Sequence, residues 1–150
     1  RLDDLFEVAV DEWLVLTGAL VLGSASTALE IGCEYAKERI AFGKPIGTFQ
    51  AVGQRLADGY IQTLGQSLTL WQAAWRVDQS LDVTTELAAA ALWAADAGHV
   101  VAHTAVHVHG GVGIDLDGEA HRYFTAAKRW ELTHGGTTAH ARTIGRALAG

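Results

Sequence analysis

Apolar residues recur every three or four positions along most of this chain. In the first stretch they are Leu5, Ala9, Trp13, Leu16, Leu20, Gly23, Thr27, Ile31 and Tyr35. They form one face of an amphipathic helix over about residues 3–39. Gly18, Gly23 and Gly32 each cost about 1 kcal/mol of helix propensity against alanine. Small residues also permit close backbone approach, so tight packing is expected to compensate. The same spacing returns in Phe49, Val52, Leu56, Tyr60, Leu64, Leu68, Trp71 and Trp75, a second helix over about residues 48–79. Ser80-Leu81-Asp82 is a polar break, after which Thr84 or Thr85 can cap a third helix, about 84–108, ended by Gly110-Gly111. Gly110 to Gly118 reads as a loop, and Glu119 to Thr133 as a fourth helix. Gly135-Gly136 breaks the period, and Thr137 or Thr138 can cap a last short helix toward Leu148. No stretch has a strand period. The prediction is an all-α fold: an up-down four-helix bundle with a short extra C-terminal helix.

The two longest helical patterns are separated by Arg39–Gln50, which holds the only proline. Gly43, Pro45 and Gly47 stop the first helix there, because proline lacks an amide proton and glycine tolerates positive φ. Thr48 can cap the second helix. On these grounds alone the segment is a helix–turn–helix corner.

Composition narrows the classes. One domain is expected from 150 residues, 49% of them hydrophobic and 19% charged, enough to bury a core. The net charge of −6 comes without any Lys/Arg block, which argues against nucleic acid. No uninterrupted apolar run reaches the roughly 18 residues of a membrane span, so no membrane partner is expected. Arg1 in place of an initiating methionine, and the lack of a leader pattern, lead us to expect a fragment of a longer chain. Cys33 is the only cysteine; it excludes an internal disulfide and fits a reducing, cytoplasmic location.

The run Glu34-Tyr35-Ala36-Lys37-Glu38-Arg39-Ile40-Ala41-Phe42-Gly43-Lys44-Pro45-Ile46-Gly47-Thr48-Phe49-Gln50 closely resembles the signature of the acyl-CoA dehydrogenase family, in its C-terminal all-helical domain. The resemblance implies that Arg39, Phe42 and Gln50 reach the FAD of a neighbouring subunit. The residue types suit that work. Arginine pairs with a pyrophosphate through a fork of donors, an aromatic offers an apolar face, and a glutamine amide donates and accepts. A second segment, His107-Val108-His109-Gly110-Gly111-Val112-Gly113-Ile114, resembles the family's other FAD-contacting motif. It implies cofactor contacts at His107, Gly110 and Gly111. His107 stands where the family usually has glutamine, and Ile114 where it has an aromatic. The resemblance continues through Arg122 and Lys128 to Thr137, a further implied cofactor contact, and Arg142. It implies α,β-dehydrogenation of an acyl-CoA to a trans-2-enoyl-CoA, an electron-transfer flavoprotein as acceptor, and a homo- or hetero-oligomer.

The family's usual catalytic glutamate sits in a Glu-Gly-Thr turn. Here the turn reads Thr133-His134-Gly135-Gly136-Thr137. Counting from Lys128 puts His134 at the glutamate; counting back from Thr137 puts Gly135 there. A minority of the family carries the base on the first helix of this domain, at a position that falls on Trp13. The nearest acid, Glu12, is one residue away, about 100° around the helix. The catalytic residue is therefore unassigned, with Glu12 as the weak candidate. His134 is the other option, poorly positioned beside Gly-Gly. Two functional forms follow: a working subunit, or a catalytically silent one that completes a partner's FAD site. A non-redox scaffold or metal-binding bundle is the third alternative. His99, His103 and His107 lie on one helix face but span about 12 Å of rise, too far for one ion, so no metal is expected.

Overall fold

The computed structural model describes residues 2–150, without the side chains of Asp3 and Asp4. Five helices account for nearly all of it: α1 (Leu2–Glu38), α2 (Gln50–Asp78), α3 (Thr84–His109), α4 (Glu119–Thr133) and α5 (Gly136–Ala149). α3 is central and packs against the other four. Successive helices from α1 to α4 reverse direction. The N-terminal half of α1 lies beside the end of α2, where Glu12 and Val77 line one groove. Its C-terminal end meets that of α3, where Tyr35 stacks on His109 at 4.2 Å.

The core is built from small side chains. One cluster joins Ala25, Ala28 and Leu29 of α1 to Val101 and Ala105 of α3, flanked by Cys33, Leu56 and Tyr123. A second joins Ala73, Leu87 and Ala90, flanked by Leu14, Val15, Val77 and Val83. Close approach is needed at Gly98 of α3, where a Cβ would lie 3.1 Å from Val21 Cγ1.

Much of the apolar stripes that reveal α1 and α2 in the sequence faces outward. On α1, Leu16 is 66% exposed and Leu20 59%; on α2, Leu68 is 63% exposed and Trp71 70%. Alanine, glycine and threonine set a separation between α1, α2 and α3 that bulky residues would force apart. Many of the largest side chains of α1 and α2 occupy the opposite face. This arrangement also corrects the hydropathy reading. Leu5–Glu38 is long and apolar enough, by length and composition, to cross a membrane, with a third of that window buried. Thr17, Gly18, Gly23 and Thr27 interrupt a strict apolar run, yet the outward-facing large residues keep the average high. In this fold the helix packs along α2, α3 and α4.

The helix starts also differ from expectation. Thr48 does not cap α2: it lies in a 3₁₀ turn over Ile46–Thr48, and its hydroxyl donates to Pro45 O at 2.7 Å. Phe49 precedes α2 instead, since the 3₁₀ turn consumes the residues between proline and helix. α3 begins at Thr84, and the bond there runs from Thr84 N–H to Asp82 Oδ1 at 3.1 Å. That bond and the Thr84 hydroxyl hold the Asp82 carboxyl below its ordinary value. Gly135, at φ 82°, precedes α5, so neither Thr137 nor Thr138 is its cap. The segment after α3 begins with a 3₁₀ turn over Gly110–Ile114, and the corner contains a two-residue hairpin, β1 (Ile40–Ala41) with β2 (Lys44–Pro45).

If small residues set the helix spacing, core enlargement must cost more than outer-face truncation. Ala97 is fully buried. Ala97→Leu is expected to destabilise the chain by about 1–3 kcal/mol or more, and Trp71→Ala by within about 0.5 kcal/mol. Denaturant unfolding of both variants checks the contrast; equal losses would mean that Trp71 belongs to the core.

Candidate functional site

The corner starts where α1 stops. Arg39 N–H still donates to Tyr35 O at 2.8 Å, and the chain then folds back on itself as the hairpin. Ile40 pairs with Pro45 and Ala41 with Lys44, leaving Phe42 and Gly43 as its two loop residues. Both have positive φ, 53° and 81°, the pattern of a two-residue hairpin turn that favours Asn-Gly. Phenylalanine in that conformation costs about 1–2 kcal/mol. The chain bears that cost to hold Phe42 in solvent at 96% exposure, a combination that marks a presented side chain. Its ring meets Phe49 edge-on at 6.1 Å between centroids, and Lys44 Nζ rests 4.6 Å from the Phe49 centroid. Arg39 and Gln50 are exposed as well. Among the described residues no carboxylate pairs with Arg39 or Lys44, whereas Lys37 nearby pairs with Glu34 at 2.6 Å.

The end of α3 reaches the same end of the bundle through the Tyr35–His109 stack. His109 Nδ1–H donates to Ala105 O at 2.7 Å, which turns its ring toward α1. His107, Gly110 and Gly111 are exposed. Gly110 has φ 65°, and a Cβ at either glycine would meet nothing within 4 Å, so the backbone there is open to a ligand. Gly113 is different: a Cβ would lie 2.5 Å from Val106 O, so this glycine packs the turn back onto α3. Arg39, Phe42, Gln50, His107, Gly110 and Gly111 thus share one exposed end. Thr137 does not. It lies in the first turn of α5, in a groove with Leu92, Asp96 and Arg142. The exposed donors, aromatic face and open glycine backbone fit the pyrophosphate and ring systems of FAD. The corner supplies one wall of such a site.

The turn between α4 and α5 lies elsewhere. His134 stacks on Trp13 at 4.8 Å and lies 5.8 Å from Trp130. Its Nδ1–H donates to Trp130 O at 2.8 Å, and Nε2 is 2.7 Å from Thr17 Oγ1. His140 Nε2–H donates to His134 O at 2.7 Å. Contrary to the sequence-based expectation beside two glycines, the histidine is well fixed. Both ring nitrogens are engaged, so taking a substrate proton requires breaking the Thr17 contact. Of the three positions where the resemblance would place a carboxylate, Trp13, His134 and Gly135, the first two stack on one another. Glu12 is exposed and lines a groove with Val77, Ser80 and Val83 against the α2–α3 turn, away from His134. By helix rise, Thr17 and Tyr35 are about 27 Å apart along α1, and that separates the turn from the Arg39–Gln50 corner.

The histidine stripe of α3 serves α4. Lys128 Nζ approaches His99 Nδ1, and Glu131 Oε2 lies 3.0 Å from both Lys128 Nζ and His99 Nδ1. Burial acts to raise the Glu131 carboxyl, but the Lys128 and His99 hydrogen bonds outweigh it and hold it low. Burial and the adjacent His99 and Lys128 charges push the His103 imidazole below its ordinary value. No group of three His, Cys, Asp or Glu suited to a metal occurs among the described residues.

If Phe42 is held in a left-handed conformation for function rather than folding, Phe42→Asn relieves the strain. The variant is expected to unfold at a higher denaturant midpoint, by about 1 kcal/mol. A lower midpoint would show that the phenylalanine supports the fold.

Residues 15–149 match the family described as acyl-CoA dehydrogenase, C-terminal domain. Acyl-CoA dehydrogenase FadE27 of Mycobacterium tuberculosis is 54% identical over 139 residues, covering 87% of this chain and 37% of that protein. The crystal structure of the ChsE4-ChsE5 complex from the same organism superposes with a TM-score of 0.88 at 54% identity, covering 91% of this chain and 37% of the matched one. A steroid ACAD variant, Tcur3481-Tcur3483, superposes at 0.89 with 39% identity, over 93% of this chain and 39% of its own. The chain therefore spans little more than a third of the length of these relatives. On these matches, and on the helical bundle and corner that carry them, the chain belongs to the acyl-CoA dehydrogenase family, as its C-terminal helical domain.

Proposed function

We propose that this domain works within an FAD-dependent acyl-CoA dehydrogenase, with its Arg39–Gln50 corner completing the FAD site of a neighbouring subunit. The observation that carries the reading is the separation of the corner from the His134 turn. The short ribityl chain between pyrophosphate and flavin ring cannot bridge about 27 Å. A pyrophosphate held by Arg39 therefore belongs to a different active site from the one beside this chain's own turn. Bound FAD would supply the hydride acceptor for the β-hydrogen as the α-proton leaves to a base, giving trans-2-enoyl-CoA. Arg39 would pair with the pyrophosphate, Phe42 would cover an apolar ring, and Gln50 and the Gly110-Gly111 backbone would hydrogen-bond the cofactor. An electron-transfer flavoprotein is the proposed acceptor and the cytoplasm the proposed location.

The exposed apolar face of α1 and α2 supports association. Patches of this kind mark interaction surfaces, and Trp13, Leu16, Leu20, Leu68, Trp71 and Trp75 are all exposed. One observation favours the silent-subunit form of the reading: the stacked Trp13–His134 pair fills two of the positions where a carboxylate is expected, and the third is Gly135, which has no side chain. A positioned base with a free acceptor is required for α-proton removal, and His134 has neither nitrogen free. On this form the glutamate comes from a partner subunit, and the ChsE4-ChsE5 complex offers a precedent of two-protein assembly.

The reductive half-reaction tests it. Flavin bleaching on adding acyl-CoA is expected from the assembly with a partner and not from this full-length chain alone. Glu12→Gln is expected to leave the mixed assembly unchanged. Bleaching by the chain alone that disappears in Glu12→Gln would overturn the silent form and make Glu12 the base.

A further inference from the structure

We infer that Lys44 is a second phosphate-binding cation of the corner, acting beside Arg39 on the pyrophosphate of the dinucleotide; this rests on the cofactor reading given above. Hairpin register sets the two cations side by side. Ala41 pairs with Lys44 and Ile40 with Pro45, and Ile46 N–H donating to Arg39 O at 2.8 Å extends the pairing by one step. Side chains alternate across a strand, so Arg39 and Ala41 share a hairpin face with Lys44 and Ile46. Arg39 stands opposite Ile46 and diagonal to Lys44, a spacing of about 7–8 Å. Ala41 and Ile46 flank that diagonal, and both are uncharged. Both cations can reach one doubly charged group.

The surroundings leave Lys44 available. Its ammonium lies over the Phe49 ring at 4.6 Å, and Phe49 is itself half-buried at the start of α2. A cation–π contact at an exposed site is weak; it orients the ammonium without neutralising it. Among the described residues no carboxylate claims Lys44, in a chain whose net charge is −6. The start of α2 adds to the same field. No side chain caps it, and a helix N-terminus favours an anion. Arginine then supplies the bidentate fork and lysine the point charge.

The test uses the full-length assembly, titrated with FAD by flavin fluorescence at low and high salt. The variants are Arg39→Ala, Lys44→Gln, Lys44→Arg and, as a control at the same end, Lys37→Gln. Lys44→Gln is expected to weaken FAD about tenfold, in keeping with loss of a charged hydrogen bond, and to flatten the salt dependence. Lys44→Arg should restore most of the affinity, and Lys37→Gln should match the parent. If Arg39→Ala weakens FAD while Lys44→Gln matches the parent at both salt concentrations, the inference is wrong and the corner reading stands. If neither variant changes FAD affinity, the corner reading itself fails and the inference with it.

Discussion

The separation of α1, α2 and α3, set by small side chains, is the constraint on which the rest depends. Ala28, Ala73 and Ala97 are fully buried at their contacts, and a Cβ at Gly98 would already press on Val21. Interiors packed to this density do not absorb larger residues without displacement. Many of the tryptophans and leucines of α1 and α2, Leu16, Leu20, Leu68 and Trp71 among them, are accordingly turned outward. Stability of the bundle and its exposed apolar outer face follow from the same arrangement: mostly small residues inward, many large ones outward. The outer face is then an apolar surface of the kind that soluble monomers rarely leave uncovered.

The same long helix that builds the core also separates two chemistries. Its C-terminal end launches the hairpin that presents Arg39, Lys44 and Phe42, and through Tyr35 it docks the Gly110-Gly111 turn beside them. Its N-terminal half holds His134 through Thr17 and Trp13. On the proposed reading one domain therefore serves two different active sites. At one it provides cofactor contacts; at the other it provides a closed, hydrogen-bonded histidine where the family's turn carries a glutamate. The strain at Phe42 and the full engagement of His134 are opposite local solutions, one opening a side chain to a partner and one closing it off.

Helix existence and extent were legible in the sequence, because a 3.6-residue period and Gly/Pro breaks report local geometry. α4 runs from Glu119 to Thr133 as the pattern predicts. Which face is buried was not legible. Leu68 and Trp71 announce the helix by their hydrophobicity, yet that same hydrophobicity serves an outer surface, and periodicity cannot tell the two apart. Helix caps failed at Thr48, Thr84 and Thr137 because the 3₁₀ turn, Asp82 and Gly135 took those roles. Of the corner, the motif names Arg39, Phe42 and Gln50, and the structure places all three exposed at one end of the bundle. Lys44 and Phe49 were not so named, since only the hairpin register and the cation–π contact place them. The residue pair Trp13 and His134 lies far apart in sequence, and its stacking required the fold.

The most direct measurement is a structure of the full-length assembly with FAD bound. The account predicts that Arg39 and Phe42 contact a cofactor seated in another subunit, while the same chain's His134 stays bonded to Thr17, far from that cofactor's ring. An FAD seated wholly within one subunit, with its flavin ring beside that chain's own His134 and its pyrophosphate untouched by any Arg39, would contradict it.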